Sequence, residues 1–372
     1  MKVFIIGAGF SKAAGYPLGN ELLPVLGEFV NELGFFVHLR NFWSDFVSWR
    51  DVQTDPGVLE IINTGNAEFI ITHLDLLENA QDFNRIQYYK KAKYLDGSDV
   101  REAKSEREKE LEDTKAFFCI AKEARDGLRA LLDWYFRHQN YEDSKKENQG
   151  RYSYILEFCR SKANSGDVFI TFNYDALLER ALYSLGRWSP RDGYGFEIDF
   201  EEIERWKGHK PAVLGRSDVK VLKLHGSVGW HINEEINKIF LNRWKLLKNF
   251  IPGIRDAAEP DDIREQDERP IVIEPSFIKS IEQRELLDLW DEARKVLEEA
   301  KEVFILGYSM PQADAYAQNL IVHSIRANPN RPKVTVVDPD KNTLDRYEEL
   351  LGFQIEKQRS KVEEWAVSLV AH

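Results

Sequence analysis

The chain has 372 residues, is 43% hydrophobic and carries a formal net charge of −12, so it can bury one large core or two smaller ones, and its acidic balance disfavours general binding to phosphate backbones. Its two cysteines, Cys119 and Cys159, cannot make a four-thiolate zinc ribbon and read as reduced thiols. No apolar stretch approaches the roughly 18–20 residues of a membrane span, and the first apolar run, Val3–Ile6, leads into glycines as part of the fold rather than a signal peptide, so a cytoplasmic protein is expected.

In chain order, β-branched and apolar runs at residues 2–6, 167–172, 219–224, 270–273, 302–306 and 333–337 read as strands. Most end in a glycine, proline or polar turn, and several precede a helical pattern. That alternation belongs to a mainly parallel sheet with helices on both faces. Between the first two strands, residues 20–160 show helical periodicity instead, at Glu21–Leu33, Ala67–Asn79 and a long stretch from about Arg101 to Phe136. The charge-alternating run Arg101–Glu110 suits a solvated helix face, with partner docking as its other reading. Residues 138–150 read as a polar loop, and residues 251–268, with Pro252, Gly253 and Pro260 among acidic side chains, as an exposed loop or lid. The expected architecture is an α/β parallel sheet into which a large helical block is inserted. Residues 1–20 and 165–372 form the sheet domain, and residues 21–164 the helical one.

Five segments fall at expected strand ends, where doubly wound sheets bind their ligands. The first is Gly7-Ala8-Gly9-Phe10-Ser11, continuing to Gly15-Tyr16-Pro17. Strand, glycine turn and helix start present backbone N–H groups to a diphosphate, and the same pattern also serves as a plain strand-to-helix turn. A hydride-transfer dinucleotide site fits poorly: Lys12 stands where a third glycine belongs, and Glu28 and Glu32 lie on a helix rather than at a strand tip. The other segments are Thr171-Phe172-Asn173-Tyr174-Asp175, Leu224-His225-Gly226-Ser227, Gly307-Tyr308-Ser309-Met310-Pro311 and Val337-Asp338-Pro339-Asp340.

Taken together, the five resemble the sirtuin family. Gly7–Pro17 resembles its nucleotide loop, Thr171–Asp175 its Thr-Gln-Asn-x-Asp segment, and His225-Gly226 its catalytic His-Gly pair. Gly307-Tyr308-Ser309 is similar to its Gly-Thr-Ser segment, and Asp338 falls where the family contacts the adenosine ribose. The order along the chain agrees, and the resemblance covers residues 1–20 and about 165–345. It implies a Rossmann-like fold and NAD as substrate, with Gly7, Ala8, Gly9, Phe10, Ser11, Pro17, Thr171, Gly226, Gly307, Tyr308, Ser309 and Asp338 around the dinucleotide. Two departures matter. Sirtuin deacylases carry a four-cysteine zinc ribbon between the His-Gly and Gly-Thr-Ser segments, whereas no cysteine lies between His225 and Gly307, so no zinc is expected; and Phe172 replaces a glutamine. Both departures, with the helical block, resemble the sirtuin-like NAD hydrolases of bacterial anti-phage defence. That resemblance implies a homo-oligomer and a separate ATPase or nuclease-type regulatory partner.

The residue chemistry matches an N-glycosyl cleavage. Breaking the nicotinamide–ribose bond generates an oxocarbenium-like sugar. Asn173 offers acceptor and donor groups to a ribose hydroxyl and a water, and His225 is a general base of suitable basicity. Asp175 binds the ribose or caps the following helix. Trp230 is a pocket wall or core, and His209 and His231 have no assigned role. Glu274–Lys279 follows the 270–273 strand as an ordinary loop or a cover over the nicotinamide side, and Asn63–Asn66 reads as a turn. His73, His138 and His323 show no metal-ligand spacing. The expected activity is NAD glycohydrolysis. An NAD-dependent protein deacylase and a non-catalytic NAD or ADP-ribose sensor are the alternatives, and NAD against NADP, like hydrolysis against cyclisation, stays open.

Overall fold

The computed structural model describes residues 1–32, 37–51, 56–63, 70, 73–74, 122–128, 130–132, 134–136, 138–139, 142, 150–190, 192–196, 216–233, 238–241, 268–272, 284–311 and 314–368. Contacts group the chain into two units: Met1–Leu18, Phe136–Ile273 and Ser280–His372 in one, Gly19–Tyr135 and Glu274–Lys279 in the other.

Among the described residues the first unit holds nine strands: β1 (Lys2–Ile6), β2 (Val168–Thr171), β3 (Lys220–Lys223), β4 (Gly226–Asn233), β5 (Lys238–Leu241), β6 (Glu268–Val272), β7 (Glu302–Leu306), β8 (Lys333–Val337) and β9 (Glu356–Gln358). Six form one sheet in the order β3-β2-β1-β7-β8-β9, and every neighbouring pair is parallel. The strand order reverses between β1 and β7, the topological switch point at which such sheets open a crevice. β1 and β2 are near-continuous apolar runs because a parallel sheet is covered on both faces.

One row shows how the sequence locks this register. Phe4 pairs with Phe169 on β2 and with Phe304 on β7, and its ring stacks on both, at 4.9 and 5.2 Å between centroids. Phe158 meets Phe4 edge-on at 5.5 Å, and Trp365 leans on Phe158 and Phe304. Three strands and two helices thus share one aromatic cluster, a contact type worth about 0.5–1.5 kcal/mol per pair beyond its buried area.

The helices of this unit are α1 (Ala8–Ser11), α5 (Ser153–Lys162), α6 (Leu177–Ser184), α7 (Arg284–Glu299), α8 (Ala315–Ala327), α9 (Lys341–Leu351) and α10 (Val362–Ser368). α5, α6 and α10 pack together on the Phe4 face. α7, α8 and α9 form a second packed group, which right-handed crossovers place on the opposite face. α5 explains why the units divide at 135/136 rather than at the 164/165 boundary expected from the sequence: Phe158 and Cys159 are buried beneath the sheet. His138, Gln139 and Glu142 are helical where the sequence reads as loop.

The run at 270–273 does not join the parallel sheet. β6 pairs antiparallel with β4, which pairs antiparallel with β5, in a separate three-stranded sheet. Pro270 in β6 offers no N–H and suits such an edge position. β4, β5 and β9 had no strand signal of their own.

The second unit is helical in its described residues, with α2 (Leu22–Glu32), α3 (Val37–Asp51) and α4 (Pro56–Asn63), and α2 matches the expected Glu21–Leu33. Its interior includes Phe29, Phe46, Trp49, Ile70, Leu74, Leu128 and Leu131. Ile70, His73 and Leu74 are helical within the expected Ala67–Asn79 segment, as are the described residues of 122–136. Residues 101–121, 143–149, 251–267 and 274–279 lie outside the described residues. No described helix is long and apolar enough to cross a membrane.

Candidate functional site

The carboxyl ends of five parallel strands finish in one row. Ile6 pairs with Thr171 and Leu306, Thr171 with Lys223, and Leu306 with Val337. The ladder then continues one step into the loops: Leu224 N donates to Thr171 O, Phe172 N to Ile6 O, Gly7 N to Leu306 O, Gly307 N to Val337 O and Asp338 N to Gln358 O. All five sequence segments therefore leave the sheet from the same edge at the same level. Asn173 and His225 each stand two residues beyond a register pair, on adjacent strands.

The glycines of the first and fourth segments interlock. A Cβ on Gly7 would sit 2.5 Å from Tyr308 Cα, and one on Gly9 2.9 Å from Gly307 Cα. Gly307 has φ +59° and a Cβ there would meet Phe10 N at 2.5 Å. Gly9 N donates to Gly307 O at 2.8 Å and Phe10 N to Gly7 O at 2.9 Å. A side chain at Gly7 or Gly9 would collide with the facing loop, whose Gly307 O accepts from Gly9 N, while Phe10 N turns back to Gly7 O within its own loop. Beyond them, Gly15 turns the chain at φ +98°, Tyr16 stacks on Phe136 at 6.0 Å, and Pro17 is buried.

A polar knot ties the first segment to the second. Ser11 Oγ donates to Asp175 Oδ2 at 2.8 Å. Asn173 Nδ2 donates to Gly7 O at 3.0 Å and to Ser11 Oγ at 3.2 Å, while its backbone N donates to Thr171 Oγ1 at 3.1 Å. Both amide protons of Asn173 are thereby given to the protein, and its Oδ1 is the atom left to meet a ligand. Asp175 Oδ1 accepts from Leu177 N at 3.0 Å, so this carboxylate caps α6 and holds Ser11 at once.

Beneath the knot lies an ion pair without solvent contact. Lys223 Nζ is 2.9 Å from Glu179 and donates to Asp175 O at 2.5 Å; the two side chains are 0% and 1% exposed. Burial pushes the Glu179 carboxyl up, and Lys223 opposes that shift. Tyr194, its hydroxyl 3.3 Å from Glu179, is likewise pushed up by burial. Trp230 packs edge-on against Tyr194 and Phe196 and belongs to the core.

His225 occupies the turn between β3 and β4, with Gly226 at φ +76° behind it. Its ring is 5% exposed and is faced by Phe172 at 5.0 Å, Tyr174 at 6.4 Å and Trp290 at 6.5 Å. Phe172 also stacks on Tyr308 at 4.5 Å, and Trp290 Nε1 donates to Leu224 O, which fixes the indole beside the turn. His225 Nε2 lies 3.2 Å from Asp314 Oδ2, the same oxygen that accepts from Tyr308 OH at 2.9 Å. Asp314 Oδ1 caps α8 through Ala317 N.

At the far side, Tyr308 O accepts from Tyr347 OH, and the exposed Ser309 accepts through its carbonyl from Arg346. Asp338 Oδ1 accepts from Asp340 N at 2.8 Å. Burial holds the Asp338 carboxyl above its usual range, against the Asp340 N–H and the nearby Arg346 charge, which favour its anion.

Residues 167–362, more than half of the chain, match the SIR2-like domain family. The chain belongs to that family. No curated protein matches the chain. A crystal structure of Sir2 in complex with the inhibitor EX-527, 2′-O-acetyl-ADP-ribose and a deacetylated p53 peptide is similar at 14% identity over 100% of this chain and 93% of that one, with a TM-score of 0.36. In this SIR2-like chain the interval from His225 to Gly307 builds β4, β5 and β6 and contains no cysteine, so the thiolate donor set of a zinc ribbon does not fit it.

Sequence reasoning missed Asp314, Trp290 and the Lys223–Glu179 pair. Lys223 did carry a signal, as a cation inside the apolar run Val221-Leu222-Lys223-Leu224. Asp314 reads locally as a helix cap and nothing more. The side chains of His209 and His231 and the Glu274–Lys279 segment lie outside the described residues.

Proposed function

We propose that this SIR2-like protein is an NAD glycohydrolase that breaks the nicotinamide–ribose bond and releases nicotinamide and ADP-ribose. The observation that supports it most is the paired placement of Asn173 and His225 two residues past one register row, on adjacent strand ends. In such a site the C1′–N bond breaks and its electron pair leaves with nicotinamide. Asn173 Oδ1 accepts from a water or a ribose hydroxyl, oriented by the bonds of its Nδ2 to Gly7 O and Ser11 Oγ. The water oxygen bonds C1′ and its proton passes to His225, a step typically worth about 10²–10⁴ in rate. Phe172, Tyr174 and Trp290 exclude competing water around the imidazole. Ser11 and the backbone of Ala8–Phe10 take the diphosphate side, and Ser309 and Asp338 the adenosine side, with Gly7, Thr171, Gly226, Gly307, Tyr308 and Pro17 shaping the walls. The absence of ribbon cysteines argues against acyl-lysine removal. The reading extends to an NAD-depleting anti-phage effector held off by homo-oligomerisation or a separate ATPase or nuclease-type partner.

Incubation of the purified protein with NAD, followed by chromatography, is expected to show nicotinamide and ADP-ribose in equal amounts. Acyl-ADP-ribose formed from an acetylated peptide would replace this reading with deacylation. Tight NAD binding without turnover, alone and as an oligomer, would replace it with a sensor.

A further inference from the structure

We infer that Asp314 and Tyr308 form a tuning pair for His225: Asp314 holds the imidazole with its proton on Nε2, and Tyr308 weakens that hold by sharing the same carboxylate oxygen. The inference deepens the proposed NAD cleavage and rests on it for its catalytic meaning.

The geometry is specific. Asp314 Oδ2 lies 3.2 Å from His225 Nε2 and accepts from Tyr308 OH at 2.9 Å, while Oδ1 is committed to Ala317 N at the start of α8. A carboxylate accepts but does not donate, so the neutral imidazole beside it carries its proton on Nε2. Nδ1 is then the nitrogen that takes a proton from water or a ribose hydroxyl, and the imidazolium formed keeps its Nε2–H on Asp314. All three side chains are buried, where each such bond gains strength from the low local dielectric. Among the described residues, the ring is faced by Phe172 and Tyr174 from the loop after β2, by Trp290 from α7 and by Asp314 ahead of α8. Of these only Asp314 and Tyr174 titrate. Lys223, two residues back on β3, is tied to Glu179 and to Asp175 O.

Tyr308 is also placed by its ring, which stacks on Phe172, and by its carbonyl, which accepts from Tyr347 OH. Loss of its hydroxyl therefore leaves the ring in place and removes the competing donor. The two positions should act on His225 with opposite sign. Asp314→Asn keeps an acceptor for Ala317 N but loses the negative charge, so the imidazolium is less favoured. Tyr308→Phe removes one donor from Oδ2, so the imidazolium is more favoured.

The test is an NMR titration of ¹³C,¹⁵N-histidine-labelled full-length protein, with the His225 signal assigned by its loss in His225→Gln. The expected result is a neutral ring protonated on Nε2, a His225 pKa lowered by about one unit in Asp314→Asn and raised in Tyr308→Phe. The acid limb of the NAD-cleavage profile should move the same way in each variant, and Asp314→Asn should lose about tenfold or more in kcat/KM. Shifts of the same sign, an unmoved His225, or a neutral ring protonated on Nδ1 would overturn the inference. A wild type that never cleaves NAD, with both titration shifts as expected, would overturn the proposed activity and leave the tuning pair standing.

Discussion

The two sides of the strand-end row are built from different materials. Around Ser11, Asn173 and Asp175 the polar groups are tied to one another, with Asn173 Oδ1 turned over to a ligand, and the Lys223–Glu179 pair anchors the knot from below. Around His225 the neighbours are rings, and the imidazole lies against a carboxylate oxygen shared with a tyrosine. The first arrangement fixes hydrogen-bonding groups in place. The second surrounds one imidazole with rings. On the proposed reading, one strand end positions the sugar and the next moves the proton.

The largest effect falls on the anchor. Lys223→Met leaves Glu179 buried without its cation and should cost about 3–5 kcal/mol in urea unfolding. Lys223→Met combined with Glu179→Leu should recover most of that loss. If the single variant is as stable as the parent, the knot has no such support.

The next comparison separates the two sides kinetically. Ser11→Ala takes a donor from the buried Asp175 Oδ2 and an acceptor from Asn173, at about 1–3 kcal/mol of stability. On the proposed reading it raises KM for NAD about tenfold with little change in kcat. Phe172→Leu opens the ring wall beside His225 and should lower kcat instead, also by about tenfold. Equal effects of both variants on the same constant would erase the distinction.

The smallest effect is at Asp338. Burial raises its carboxyl pKa in the folded state, so the fold binds more protons than the unfolded chain between the ordinary value and the raised one. Its contribution to stability therefore falls as pH rises through that window and stays at its lower level above it. Asp338→Asn keeps an acceptor for Asp340 N and removes the charge. It should melt slightly higher than the parent at pH 7, and the two should converge below the ordinary carboxylate range. A lower melting temperature at pH 7 would contradict the burial argument.

Much of this was legible in the chain because parallel strands are continuous apolar runs ending in glycine or polar turns. Lys2–Ile6, Val168–Thr171, Lys220–Lys223, Glu302–Leu306 and Lys333–Val337 all announce themselves that way. The second sheet was legible in one strand alone: residues 270–273 read as a strand but not as a member of a separate antiparallel sheet, and Gly226–Asn233, which mixes glycine with polar residues, left no local pattern. Gly7, Gly9 and Gly307 were visible as special positions, but the contact between their two loops was not. They permit two loops to touch backbone to backbone, a constraint between segments far apart in sequence. Asp314 was hidden for the same reason, since the fold alone brings a helix cap to a histidine on another strand end.

The most direct measurement is single-turnover cleavage of NAD by the parent, Asn173→Ala, His225→Ala and the double variant. If an amide and an imidazole act on one bound ribose, each single variant loses at least about 10²-fold in rate and the double loses little more than the worse single. Cleavage by either single variant at the parent's rate would contradict the account.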